Sequence, residues 1–122
     1  MLQSRSIVLL GALALVAGCL SPTLPLPPPE EPLSMVAVSD GVWGIAGTCL
    51  PGAEVVVLDE VTGRGAAVVD LARSGHYYVE LAATQCDLAS VSQSTGGESS
   101  TTRFVVHPRQ EGLPDDTSLC NP

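Results

Sequence analysis

The chain has 122 residues and a formal net charge of −8 at pH 7, with 13 acidic residues against 5 basic ones. All the basic residues are arginines scattered among carboxylates, so the stripe of basic side chains that binds nucleic acid phosphates is missing, and we exclude nucleic acid as a partner. The length allows one domain, whose core must be built from aliphatic side chains because aromatic residues make up only 3% of the sequence.

The N-terminal residues have the pattern of an export signal. Arg5 provides a positive start, and the apolar run 7–16 is too short to cross a bilayer, which takes about 20 residues. The run ends in Val16-Ala17-Gly18-Cys19, which resembles the lipobox of bacterial lipoproteins. An ordinary secretory signal, cleaved at the small residues 12–14, is the alternative.

The lipobox resemblance implies removal of residues 1–18 and attachment of lipid to Cys19. Several acyl chains on Cys19 would hold the protein at a membrane much more firmly than a single myristoyl chain. Leu20 stands where enteric lipoproteins retained at the inner membrane have Asp, so the resemblance implies a lipid-anchored cell-envelope protein sorted to the outer membrane of a Gram-negative bacterium. Because the chain is acidic, we expect it to contact the membrane through the N-terminal lipid alone.

A proline-rich segment follows the lipobox. Residues 21–32 read SPTLPLPPPEEP, and proline both removes a backbone donor and favours an extended polyproline conformation. We expect residues 19–34 to form a linker between the lipid and a domain. At about 3.1 Å per residue it could act as a spacer of roughly 35 Å, and a disordered tether is the alternative.

From residue 35 onward, short apolar runs alternate with Gly, Asp and Ser, and no helical period lasts for a dozen residues. The pattern predicts an all-β domain over 35–108, folded as a single antiparallel β-sandwich of about seven strands. The tail 109–122 loses the apolar periodicity, and we expect it to be of low order. The predicted strands are Met35–Ser39, Val42–Thr48, Glu54–Asp59, Gly65–Leu71, His76–Leu81, Leu88–Gln93 and Thr101–His107, with Tyr77, Val79, Leu81, Phe104 and Val106 facing the core.

The run from Gly44 to Leu81 is similar to the repeating unit of bacterial Ig-like modules. The matching features are a strand ending in Gly47-Thr48, a turn at Pro51-Gly52-Ala53, a valine-rich strand, and an Asp followed by a glycine and an aromatic residue. The resemblance implies an Ig-like β-sandwich of the kind found on surface and secreted proteins as adhesive or spacer modules. Carboxypeptidase-regulatory-like modules share many of these features and are the alternative fold. Neither family carries a catalytic constellation onto these positions.

Three cysteines remain beside Cys19, so in an oxidising compartment one disulfide can form and one thiol is left over. If the strands run alternately up and down, Cys49 and Cys86 lie at opposite ends of the domain. That separation of about 20 Å far exceeds the Cα distance of about 6 Å that a disulfide tolerates. We therefore predict a Cys86–Cys120 disulfide, although the tail could instead reach Cys49. The spacings typical of a zinc site are missing, so we expect no metal and no cofactor.

Two histidines, His76 and His107, are the candidate general bases. His76 is predicted to begin its strand and His107 to end the last strand, which places them at opposite ends of the domain. Both are predicted to point away from the core, which is typical of solvated residues. The carboxylate pairs Asp59-Glu60 and Asp115-Asp116 are sequence neighbours, as expected of solubilising charge rather than of an acid and base facing across a cleft. Motifs for nucleophilic catalysis or nucleotide binding are missing, so we predict that the protein is not an enzyme.

The sequence therefore predicts a non-catalytic binding or scaffolding module, with an envelope protein or a glycan as its partner. A carbohydrate or small-ligand module is the alternative, with exposed Trp43 and Tyr78 as candidates for stacking on the ligand. Packing of Trp43 into the sandwich is the competing interpretation of that residue. An accessory subunit of a larger envelope complex is the third possibility, since the aliphatic core is thin.

Overall fold

The computed structural model of the protein describes residues 25–121, so the predicted signal sequence and Cys19 lie outside the described residues. These residues form an almost entirely β structure of antiparallel strands, with one short 3-10 helix near the C-terminus at Ser118–Cys120. The strands are β1 (Ser34–Ser39), β2 (Val42–Thr48), β3 (Glu54–Asp59), β4 (Gly65–Val69), β5 (His76–Ala82), β6 (Leu88–Thr95) and β7 (Glu98–Val105).

The strands form two sheets, one in the order β1-β2-β5 and one in the order β4-β3-β6-β7. This confirms a single antiparallel β-sandwich of seven strands. In the constant-type antibody domain the fourth strand lies beside the fifth, whereas here β4 pairs with β3. β2 and β3 have the predicted bounds, but β7 begins earlier than predicted. The reason is the tight turn at Gly96 and Gly97, whose φ angles of 61° and 84° allow Thr95 to pair directly with Glu98.

The core lies between the sheets and follows the two-residue alternation of the strands. On β5, Tyr77, Val79 and Leu81 are 5%, 5% and 1% exposed, as the sequence predicts. The ring of Tyr77 packs across β2, where a Cβ on Gly47 would lie 2.7 Å from its hydroxyl oxygen. A larger residue than glycine at position 47 would therefore displace this ring.

Residues 25–32, here called the proline strap, lie along the inner face of β6 and β7. Gln93 and Ser100 both donate hydrogen bonds to the carbonyl of Pro27, at 3.0 and 2.6 Å. Pro29 and Pro32 are buried. Thr102 and Arg109 also donate hydrogen bonds to the strap, to the carbonyls of Pro29 and Pro32 respectively.

The strap corrects the expected length of the free linker. The sequence predicts that residues 19–34 hold the domain away from the lipid, but from Pro27 onward the chain is hydrogen-bonded to the sandwich. The physical reason is that inward-facing side chains of β6 and β7 are polar donors. Proline carbonyls accept these hydrogen bonds, and proline has no N–H that would itself need a partner.

The C-terminal tail has little regular structure but is tied to the sandwich by backbone hydrogen bonds and by a disulfide. Met35 and Arg109 exchange backbone hydrogen bonds of 2.9 and 3.0 Å, which covers the outer edge of β1. Cys86 and Cys120 form a disulfide with a Cα separation of 5.3 Å, as predicted. Cys49 is a free, half-buried cysteine.

The loop 70–75, between β4 and β5, is organised by the carboxylate of Asp70. It accepts hydrogen bonds from the backbone N–H groups of Gly75, Ser74 and Gly52 at 2.8, 3.0 and 3.2 Å, and from the Ser74 hydroxyl at 3.0 Å. These hydrogen bonds, that of Gly75 above all, lower the pKa of Asp70 to about 2. Asp70 therefore holds the loop in one conformation.

Removing the disulfide should destabilise the domain. For the double variant Cys86→Ser/Cys120→Ser we expect the free energy of unfolding in urea to fall by about 3 kcal/mol, because the unfolded chain regains the entropy of an open loop. The control is Cys49→Ser, which should change stability by less than about 1 kcal/mol because this thiol forms no disulfide. A peptide map linking Cys49 to Cys120 would contradict the expectation.

The stabilising effect of Asp70 should depend on pH. Its folded-state pKa is about 2, below the ordinary value of about 3.9, so its contribution is fully present above about pH 4 and is lost as the pH falls towards 2. We expect Asp70→Asn to melt several degrees below the wild type at pH 6, and the gap to narrow between pH 4 and pH 2. A gap that stays constant down to pH 2 would show that ionisation of Asp70 does not stabilise the loop.

Candidate binding surface

The outer face of the β1-β2-β5 sheet is apolar where solvent would favour polar side chains. Val36 and Val38 on β1 are 52% and 47% exposed, and Tyr78 on β5 is 54% exposed. Gly44 and Ala46 of β2 lie between them, opposite Val36 and Tyr78 respectively. We call these five residues the outer apolar strip.

Tyr78 lies across β2 within the outer apolar strip. A Cβ on Gly44 would lie 2.7 Å from its Oη and 3.1 Å from its Cε2, so the ring needs glycine at position 44. The Tyr78 hydroxyl donates a hydrogen bond to Glu80 at 3.3 Å. Partial burial and the negative charge of Glu80 raise the pKa of Tyr78, which keeps the phenol protonated. The exposed part of the Tyr78 ring, which lies beside the carboxylate of Glu80, is thus available to a ligand.

Trp43, the other predicted stacking residue, does not present its ring to solvent. It is 6% exposed because it shares the inner face of β2 with Ile45, and it pairs with Leu81 of β5. Packing into the sandwich, the competing interpretation of Trp43, is therefore the observed arrangement, and the alternative that Trp43 stacks on a ligand is wrong. Only the edge of the residue borders a shallow, open depression of about 520 Å³ next to the turn at Asp40 and Gly41.

The histidines lie at opposite ends of the sandwich, as predicted, but only His76 is exposed. His107 is 3% exposed, so the prediction that it is solvated is wrong. Its Nδ1 lies 2.7 Å from the carbonyl oxygen of Val105, and its Nε2 lies 2.6 Å from a carboxylate oxygen of Asp115. The tail folds back over the end of β7 and covers the ring, which strand alternation cannot anticipate.

The thiol of Cys49 has no base beside it among the described residues. Burial and the charge of Asp70 raise the pKa of Cys49, which disfavours the nucleophilic thiolate. The neighbouring phenol of Tyr77 is buried without a hydrogen-bond partner in residues 25–121, and burial raises the pKa of Tyr77 as well. This pair fills space at the edge of the core and does not form a nucleophile and base.

Asp59 is a structural residue rather than the solubilising charge that its sequence predicts. It is fully buried and accepts hydrogen bonds from the backbone N–H groups of Val61 and Thr62 at 2.8 and 3.2 Å. Burial opposes its ionisation, but these bonds and one with Asp87 outweigh that effect and lower the pKa of Asp59. The same contact raises the pKa of Asp87. The other oxygen of Asp59, Oδ2, finds no donor in the described chain unless Asp87 is protonated.

Within the described part of the chain, no group of three or more His, Cys, Asp or Glu side chains could hold a metal ion. No helix among residues 25–121 is long and apolar enough to cross a membrane. No family model, curated protein or solved structure matches this chain. The function of the outer apolar strip therefore has to follow from its own geometry.

The sequence predicts an exposed Tyr78 but not the exposure of the other residues of the outer apolar strip. A signal was present, because 35–38 is a continuous apolar run where a strand with one solvated face would alternate. Met35 of that run is 1% exposed and faces the core, whereas Val36 and Val38 face outward. Continuous apolar character in a strand at a sheet edge thus indicates a second contact surface.

Replacing His107 should weaken the attachment of the tail. We expect His107→Gln to lower the free energy of unfolding by about 1 to 2 kcal/mol, since a buried hydrogen bond to a carboxylate is lost. The matched variant His76→Gln removes an exposed ring and should leave stability unchanged. Equal unfolding midpoints in urea for the two variants would contradict the structural role of His107.

Proposed function

We propose that the protein is a lipid-anchored component of the cell envelope that presents a non-catalytic Ig-like module for binding or scaffolding. The lipobox-like residues Val16 to Cys19 support the anchor. Seven antiparallel strands in two sheets are what an Ig-like module requires. The separation of the two histidines and the absence of a base beside Cys49 in residues 25–121 leave binding as the better supported activity.

The observation that carries the binding proposal is the outer apolar strip. Val36, Val38 and Tyr78 are each about half exposed and adjoin one another on one sheet face. Contiguous exposed apolar surface on a small domain marks an interaction site more often than scattered single residues do. Contact with a protein partner would remove this surface from water, and the exposed Glu80 at its margin would stay at a polar rim.

A glycan is the second candidate partner, and the position of Tyr78 favours it. The ring rests on the β2 backbone at Gly44 and is 54% exposed, so it can accept the apolar face of a sugar ring. Glu80, which accepts the hydrogen bond of the Tyr78 hydroxyl, is placed to accept hydrogen bonds from sugar hydroxyls as well. Trp43 is buried and takes no part in this site.

The proposal predicts contact at the outer apolar strip in the intact envelope. A benzophenone amino acid placed at Val38 of the full chain should give a discrete crosslinked protein on irradiation of cells, and Tyr78→Asp in the same chain should abolish it. The matched control carries the crosslinker at Ala67, which is exposed on the other sheet. Intact mass should show acyl groups on Cys19, and Cys19→Ala should move the protein out of the membrane fraction.

Each outcome decides a different part of the proposal. Identical adducts from Val38 and Ala67 would remove the strip as the binding surface. The glycan would be the partner if irradiation gave no protein adduct, the wild-type protein were retained on isolated peptidoglycan, and Tyr78→Ala abolished that retention. A mature N-terminus other than Cys19, or no acyl mass, would refute the lipid anchor.

A further inference from the structure

One end of the sandwich lies next to the place where the described chain begins. The connecting loops 49–53, 70–75 and 96–97 all lie at this end, which we call the strap end. Pro25, the first described residue, borders the same surface depression as Glu98 at the start of β7. The strand register shows that the loops lie side by side at this end. Across the four-stranded sheet, neighbouring strands pair Val69 with Glu54, Glu54 with Ser94 and Ser94 with Ser99.

The chain between Cys19 and Pro27, where Gln93 and Ser100 hold the proline strap to the sandwich, is short. Eight Cα-to-Cα steps span at most about 28 Å even when fully extended. A lipid on Cys19 would therefore keep the strap end within about 28 Å of the membrane surface.

Both ends of the sandwich are acidic. The loops of the strap end contain two charged residues, Asp70 and Arg73, of opposite sign, and Asp70 is buried. Three further carboxylates, Glu30, Glu54 and Glu98, lie at this end. The loops and tail of the opposite end hold Asp40, Glu60, Asp87, Glu111, Asp115 and Asp116 against Arg64 and Arg109, and Arg103 pairs with Glu60. Charge therefore favours neither end, and the place where the chain is attached decides which end lies near the membrane.

Leu71 projects from the strap end. It is 87% exposed, the largest exposure among the large apolar residues of the described chain. Its loop is fixed by the four hydrogen bonds of Asp70, and its own N–H donates to the carbonyl of Val69 at 2.9 Å. A leucine held in water by a hydrogen-bonded loop, at the same end of the sandwich as the point where the chain leads to the anchor, is suited to contact lipid.

We propose that the strap end faces the membrane and that Leu71 enters the lipid interface. The inference rests on the proposed acylation of Cys19, and it adds a second membrane contact to the lipid that the sequence predicts as the only one. The opposite end, with the tail and the disulfide, would then point away from the membrane. The outer apolar strip would stand at the side of the domain, accessible to a partner in the envelope.

The test uses tryptophan fluorescence of the full, processed chain in vesicles of phosphatidylcholine and phosphatidylglycerol with brominated acyl chains. Leu71→Trp should show a blue shift and lose most of the added emission, because bromine quenches an indole in contact with it. The matched control is Val61→Trp, at a 66% exposed position on the β3–β4 turn of the opposite end, whose added emission should persist. Trp43 is buried and contributes the same background to both variants and to the wild type.

Intact mass separates failure of the anchor from failure of the orientation. With acyl groups on Cys19 and no quenching at position 71, the anchor would stand and the membrane-facing end would be wrong. Equal quenching at 71 and 61 would overturn a fixed orientation. A blue shift at 71 without bromine quenching, together with a doubled mass in solution, would assign Leu71 to contact with a second copy. An unacylated chain would overturn the anchor and, with it, this inference.

Discussion

The inner face of the four-stranded sheet is wider than the three-stranded sheet can cover, and the rest of the structure depends on how that gap is closed. The uncovered positions of β6 and β7 carry hydrogen-bond donors, among them Gln93 and Ser100, which need acceptors once they are enclosed. The proline strap supplies carbonyls, and its five prolines bring no N–H groups that would need acceptors. It completes the sandwich and also fixes where the chain leaves it.

That exit point couples the fold to the proposed position of the protein in the envelope. A long free linker would let the domain tumble at a distance from the membrane, whereas a strap held at Pro27 leaves at most about 28 Å of chain to Cys19. With the proposed lipid on Cys19, the domain would be confined near the bilayer with the strap end closest. Orientation in this protein would then follow from where the chain is attached.

The buried polar groups that stabilise the fold lie apart from the exposed surface that is proposed to bind a partner. Asp59, Asp70 and His107 are buried and hydrogen-bonded at the ends of strands, where they hold turns and the tail. None of the three faces the outer apolar strip. Asp59, Asp70 and His107 thus stabilise loops and the tail. The surface best suited to a partner is instead built from aliphatic residues and one tyrosine.

The sequence by itself determined the strand pattern and the core face of β5, and it favoured the Cys86–Cys120 disulfide while leaving Cys49 open as the partner of Cys120. Alternation with a period of two and glycines at tight turns are local properties, and strand lengths excluded only a Cys49–Cys86 disulfide. Only the tertiary structure decided what covers each face. Ser100 meets a carbonyl 73 residues away, and His107 is buried because a tail held by Cys120 folds over it. Local patterns report which residues share a face, but long-range contacts decide whether that face meets solvent, another sheet or a returning segment of the chain.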